Sequence, residues 1–209
     1  MGGPVGGPSG PPPGAVGLLL AAGAGRRMGR PKALVELGGR PLLLGALDAL
    51  RAGGCGPLLV VLGAAADQVA ELVPGDVRTV HAPDWAEGMG ASLRAGLDAL
   101  AGSPAPAVLV HLVDLPGVGA AAIERLASAA SAGPDVLARA AYHGVPGHPV
   151  LLGRSHWAGV RAAAVGDAGA RGYLAGHPAL RLVECGDVAD PGDVDTPAAL
   201  WEFTERRKS

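Results

Sequence analysis

The chain has 209 residues, of which 49% are hydrophobic and 17% charged, a balance that supports a buried core and excludes a disordered polymer. Its formal net charge of −2 excludes a broad nucleic-acid binder, because the basic residues have no excess outside one short stretch. No apolar run reaches membrane length and no charged-then-apolar leader is present, so a cytoplasmic protein without membrane attachment is expected. Cys55 and Cys185 stand far apart in no metal-ligand spacing, which fits a reduced compartment.

Residues 1–14 are nearly all Gly and Pro and cannot bury apolar area, so a disordered tail is expected there, with one domain over 15–209. Val16–Ala22 reads as a buried strand. Gly23, Gly25 and Gly29 follow, mixed with the cations Arg26, Arg27, Arg30 and Lys32. Ala33–Leu37 reads as a brief extended segment, and Pro41 opens a helix with Leu43, Leu47 and Leu50 on one face. A second buried strand is predicted over Pro57–Gly63, a helix over Ala64–Val73 and a short strand over Val77–His81.

Asp84–Gly90 reads as a loop, Ala91–Leu100 as a helix and Ala107–Val113 as a fourth buried strand ending at Asp114-Leu115-Pro116. A helix over 119–130 and a strand over 136–141 come next. The remainder is less regular: a strand at 150–152, helices at 155–164 and 169–175, a strand at 180–185 and a closing helix over Pro197–Arg206. Alternating helices and continuously apolar strands predict an α/β fold with parallel strands covered on both faces. Ligands of such sheets bind beyond the carboxyl ends of the strands, so the glycine-cation loop and Asp114 are expected to share a crevice.

A strand that ends in glycines and clustered cations has the form of an anion cradle. Glycine lets backbone N–H groups approach a phosphate, Arg offers bidentate contacts and Lys a point charge. The glycine spacing also resembles a dinucleotide fingerprint, but that motif needs a helix at the glycines, and Pro31 stands in its way. A P-loop is excluded because Gly-Lys-Ser/Thr is missing. A strand-end carboxylate at Asp114 suits a divalent cation beside phosphates or, equally, a helix N-cap. Asp195, in an acidic loop before the last helix, is a second metal ligand or a cap, with Thr196 its rival for the capping role. Gly88, Gly90 and Ser92 precede a helix and either present N–H groups to a nucleotide or form an ordinary loop. His148 is a candidate contact to an anionic second substrate, and His111 reads as a satisfied strand histidine.

Taken together, LLLAAGAGRRMGRPKALVELGGRPLL, DWAEGMGASLRAGL, VDLP, PGHPVLLGR, GDAGARGYL and DVDTPAAL resemble the MobA-like molybdenum-cofactor nucleotidyltransferases, nearest the cytidylyltransferase branch. The resemblance covers about Val16 to Trp201. It implies a three-layer, Rossmann-like (GT-A-like) α/β domain with a mostly parallel sheet. It places Leu20, Ala21, Ala22, Gly23, Gly25, Gly90 and Ser92 at the nucleotide, Lys32 and Arg26 at the triphosphate, and Asp114 and Asp195 at Mg²⁺. Ala22 stands where the guanylyl branch carries Gly, which implies CTP. The acceptor is then a molybdopterin-type cofactor, and a molybdoenzyme or its chaperone is the implied recipient. Similar sequences are also named nicotine blue oxidoreductases, an NAD(P)H-dependent quinone-type activity that these motifs do not explain. A nucleotide sensor without catalysis is the third reading of the same residues.

Overall fold

The computed structural model describes residues 14–207. The expected tail at 1–14 therefore lies, apart from Gly14, outside the described residues.

The strands β1 (Val16–Leu20), β4 (Leu58–Leu62), β5 (Arg78–His81), β6 (Ala107–Leu112), β7 (Leu137–Tyr142), β8 (Val145–Gly153) and β9 (Arg181–Glu184) form one seven-stranded sheet in the order β5-β4-β1-β6-β8-β7-β9. Every neighbouring pair from β5 to β6 is parallel, β8 runs against both β6 and β7, and β9 is parallel to β7. A two-stranded ribbon, β2 (Glu36–Leu37) with β3 (Arg40–Pro41), stands apart from the sheet.

The apolar strands feed two helical layers because their side chains alternate between faces. Leu19, Leu109 and Leu151 join one core cluster, while Leu18, Val108 and Leu152 join the other. Helices α1 (Leu42–Ala52) and α4 (Ala120–Ala127) cover the first face with Leu43, Leu47, Ile123 and Leu126. Helices α3 (Met89–Ala99) and α5 (Arg154–Ala163) cover the second with Leu93, Leu97, Trp157 and Val160. Each buried leucine there stabilises the layer by roughly 1.5–3 kcal/mol.

Several expected boundaries shift. The helix expected over 64–73 is reduced to α2 (Ala66–Ala70), because Ala65 takes a left-handed conformation and Pro74 follows closely. The expected loop at 84–90 contains a 3₁₀ turn at Trp85–Glu87, and α3 begins at Met89. The strand expected at 150–152 is a nine-residue antiparallel strand. The short helix α6 (Arg171–Leu174) is trimmed from 169–175, and α7 (Pro197–Arg206) matches its expected span. Both cysteines are free and buried. Among the described residues no helix is long and apolar enough to cross a membrane.

Candidate active site at the carboxyl edge of the sheet

Strand pairing continues past β1 and brings the two key segments together. Ala21 N–H donates to the Val61 carbonyl, Ala64 N–H to the Ala22 carbonyl, and Val113 N–H to the Leu20 carbonyl. The glycine-cation loop therefore leaves the sheet beside Asp114, as the strand-end argument requires.

The loop is compact for local reasons. Gly25 has φ +60°, and a Cβ there would stand 2.0 Å from the Arg30 carbonyl oxygen, so only glycine closes the turn. Met28 is buried in the core and its N–H donates to the Gly25 carbonyl. Pro31 precedes a single 3₁₀ turn, Lys32–Leu34, which sets Lys32 facing the cleft. A dinucleotide-type helix is absent here.

The acidic loop reaches the same point from the other end of the chain. Val194 is buried and its N–H donates to the Asp114 carbonyl at 3.0 Å. With Val194 facing the core, Asp193 and Asp195 on either side face the cleft. One carboxylate oxygen from each of Asp114, Asp193 and Asp195 lies within 4.8 Å of the others. The capping rivalry resolves cleanly: Thr196 Oγ1 accepts from Ala199 N–H at 3.1 Å and Pro197 occupies the first helical turn, which frees Asp195. Asp114 does not begin a helix, since α4 starts at Ala120 after Gly119.

Lys32 ties these carboxylates together. Its Nζ donates to Asp114 Oδ2 at 2.6 Å and also to Asp195 Oδ1, while Arg27 holds the other oxygen of Asp195. The side chains of Lys32, Asp114 and Asp195 are only 19%, 17% and 15% exposed, so water screens the knot weakly. Burial alone would lower the Lys32 pKa, but Asp114 and Asp195 together raise it above its usual value. Burial pushes Asp195 upward, and Lys32 and Arg27 overcome it and hold the carboxyl below its usual range. Asp193 is raised, by desolvation and then by repulsion from Asp195 and Asp114. Three crowded carboxylates with one destabilised in its charged form fit a hard divalent cation, which binds oxygen donors.

Two cavities meet at this knot. The first, about 350 Å³, lies over the glycine loop and includes Leu20, Ala22, Gly23, Gly25, Arg26 and Ser92 in its wall. Trp85, from the 3₁₀ turn before α3, and Met89, at the start of α3, complete it. The second, about 680 Å³, opens toward β7 and β8 and is lined by His148, Arg139 and Arg171. Lys32 and Asp114 belong to both walls. Ala21 and Gly90 line neither cavity. Ala21 points into the core cluster, and Gly90 packs against the backbone of Ala164 and Val165, where a Cβ would approach to 2.8 Å.

His148 sits half-buried in the wall of the larger cavity with Nδ1 out of contact with solvent and without a hydrogen-bond partner among the described residues. Burial, and then the neighbouring Arg139, push its pKa down to about 4, so it is neutral at pH 7. His111 corrects the expectation of a satisfied strand histidine: it is buried with Nδ1 lacking a partner among the described residues, and burial pushes its pKa to about 3. Arg27 was read only as one of four loop cations, and Asp193, Arg139 and Arg171 were given no role from the sequence. Asp193 opens the quoted DVDTPAAL segment and Arg171 lies in GDAGARGYL, whereas Arg139 carries no sequence signal.

Comparison with known proteins gives the family and the fold. Residues 17–182 match the family model of the MobA-like NTP transferase domain. Nicotine blue oxidoreductase of Paenarthrobacter nicotinovorans is 40% identical over 199 residues, covering 90% of this chain and 95% of that protein. The crystal structure of the Mycobacterium sp. strain JC1 homolog of Mycobacterium tuberculosis Rv0371c superimposes with a TM-score of 0.81 at 28% identity, covering 93% of this chain and 98% of that one. Rv0371c itself, from M. tuberculosis H37Rv in complex with manganese, gives a TM-score of 0.73 at 26% identity over 92% of this chain and 98% of that chain.

Proposed function

This chain belongs to the MobA-like NTP transferase family, and from that premise we propose that residues 15–209 form one cytoplasmic nucleotidyltransferase domain. It joins the nucleoside monophosphate of CTP to the phosphate of a molybdopterin-type acceptor and releases pyrophosphate. The observation that carries the reading is the placement of Lys32 and Asp114 in the walls of both cavities, where a donor in one and an acceptor in the other would meet.

The chemistry then needs little beyond alignment and charge neutralisation. A phosphate monoester is largely dianionic near neutral pH, with a second pKa of about 6, so no protein base is required. The glycine loop and the N-terminal turn of α3 receive the triphosphate, with Arg26 in the cavity wall and without a carboxylate partner among the described residues. Lys32, held cationic by its two aspartates, faces the α-phosphate and the leaving group. Asp114, Asp195 and Asp193 would hold Mg²⁺, which when bound neutralises charge on the phosphate oxygens. Ala22 puts a methyl group in the nucleotide wall beside Trp85, and that narrowing favours a pyrimidine. Two free, buried cysteines are in keeping with the compartment assigned.

The test is pyrophosphate release with molybdenum cofactor and Mg²⁺, offering CTP, GTP, ATP and UTP in turn. CTP is expected to be preferred, and Ala22→Gly is expected to admit GTP. A second reading is favoured by the 40% identical relative named for nicotine blue oxidation: an NAD(P)H-dependent quinone-type oxidoreductase whose dinucleotide takes the smaller cavity. It predicts oxidation of NAD(P)H with a quinone-like dye, no need for divalent metal and no pyrophosphate from any nucleotide.

A further inference from the structure

The larger cavity is electrically divided. Asp114, Asp193 and Asp195 stand in one part of its wall, and Arg139 and Arg171 in another. Several arginines of this protein hold a carboxylate: Arg94 pairs with Glu87, Arg125 with Asp187 and Arg161 with Asp98. Arg139 and Arg171 do not. Arg139 Nε donates to the Gly147 carbonyl at 2.8 Å and its Nη2 to the Pro146 carbonyl at 3.3 Å. Arg171 Nη2 donates to the Asp167 carbonyl at 2.9 Å and its Nε to the Ala168 carbonyl at 3.3 Å. The Asp167 carboxylate turns instead toward Gly88, where an added Cβ would be 2.6 Å from its Oδ1. Neither guanidinium has an ion-pair partner among the described residues.

Each guanidinium is thus oriented by backbone and keeps charge and donors to spare. The two also feel each other: burial, and next the charge of Arg171, lower the pKa of Arg139. His148, neutral and with an Nδ1 that has no partner among the described residues, lies in the same wall and senses both arginines. Arg139 is half-buried and Arg171 exposed, and two like charges that face one cavity with no carboxylate paired to either favour an anion placed between them. The forked donors of Arg match a carboxylate or phosphate bidentately.

We infer that the second substrate is doubly anionic: besides the phosphate that meets the aspartate end, it carries another anionic group, seated between Arg139 and Arg171. The identity of the first anion rests on the transferase reading; the arginine subsite stands on its own geometry. The subsite separates acceptor classes. A sugar phosphate with a neutral tail lacks the second anion, while an oxo-metal dithiolene on a pterin phosphate supplies one.

Binding without any nucleotide tests this apart from turnover. Calorimetry would compare hexyl phosphate with hexanediol bisphosphate and with the hexyl phosphate chain ending in a carboxylate, in Mg²⁺. Both doubly anionic probes should bind the wild type about tenfold or more tightly than hexyl phosphate, as a charge-assisted hydrogen-bond pair contributes. A preference for only one of them identifies the second anion as phosphate or carboxylate. In Arg171→Gln, a change at an exposed position, the ratio should fall toward one, and Arg171→Lys should restore part of it. Arg139→Lys, which keeps charge but loses the fork, should lower it as well. A ratio near one in the wild type, no measurable binding of any probe, or a ratio unchanged in Arg171→Gln would overturn the inference. If the ratio holds while no nucleotide yields pyrophosphate, the subsite survives and the transferase reading fails.

Discussion

The two cavities that meet at Lys32 and Asp114 are built from different material. The smaller one is made by the first half of the chain, largely from backbone: Gly23, Gly25 and Ala22 at a strand end and the first turn of α3. The larger one takes most of its character from the second half, from charged and titratable side chains on β7, β8 and α6. A backbone wall recognises what all nucleotides share, phosphate and shape, and at Gly25 and Gly88 it has no room for a side chain. A side-chain wall recognises particular charges and can be altered residue by residue without disturbing the sheet. Under the proposed transfer reaction, donor recognition is set by the rigid wall, and acceptor choice by Arg139, His148 and Arg171.

The joint between the walls should be the most sensitive point. Asp114→Asn is expected to lower pyrophosphate release by about 10³-fold, as for loss of a group acting on transition-state charge, with little change in melting temperature. Near-normal turnover in that variant would remove Asp114 from the chemistry. Chelation of divalent metal should have a comparable effect on the wild type. Next in size, Gly25→Ala forces a Cβ onto the Arg30 carbonyl in a left-handed turn. It should weaken CTP binding by about tenfold or more while leaving the acceptor probes unaffected, because the strain of more than ~1 kcal/mol falls on the backbone wall alone. Equal losses on both sides would show that the two walls are one unit.

Thr196→Ala tests a subtler division, between the cap of α7 and its neighbour Asp195. Loss of the Ala199 N–H contact should cost about 1 kcal/mol of stability without a matching loss of turnover at saturating metal. The smallest effect concerns His111, whose folded pKa is depressed from 6.5 to about 3 by burial. Below about pH 6.5 the unfolded chain takes up a proton that the native strand refuses, so stability is full above that pH and declines toward about pH 3. A His111→Leu variant should show a flatter melting-temperature profile between about pH 6 and pH 4 than the wild type. Parallel profiles would show that other groups govern the acid limb.

The backbone wall was also the more legible half. A strand ending in glycines and cations, and a buried strand ending in Asp114, carry local signals: apolar runs, turn residues and strand-end carboxylates are read over a few neighbouring positions. Asp195 was found for the same reason, as an acid beside a helix start, although only the contact between Val194 and the Asp114 carbonyl shows why it and Asp193 flank the cleft. The acceptor wall was read poorly. Val150–Leu152 has the same apolar character whichever way the strand runs, so the antiparallel β8 and its nine-residue length were not foreseen. A single arginine such as Arg139 looks like any solvated charge until β7, β8 and α6 are folded around one cavity. Ala21 and Gly90 stand outside both cavity walls for a related reason: a motif assigns a whole segment to a ligand, while the alternation of a strand and the packing of a helix turn some of its side-chain positions to the core.

The most direct measurement follows the α-phosphorus of the nucleotide. Wild-type protein would be given CTP radiolabelled at that position, Mg²⁺ and molybdenum cofactor, and the products separated. Nucleotidyl transfer predicts the label on the acceptor, one pyrophosphate per labelled product, and loss of both in Lys32→Ala. Label remaining entirely in CTP, with dye-dependent oxidation of NAD(P)H by the same preparation, would contradict the transferase account and assign the smaller cavity to a dinucleotide.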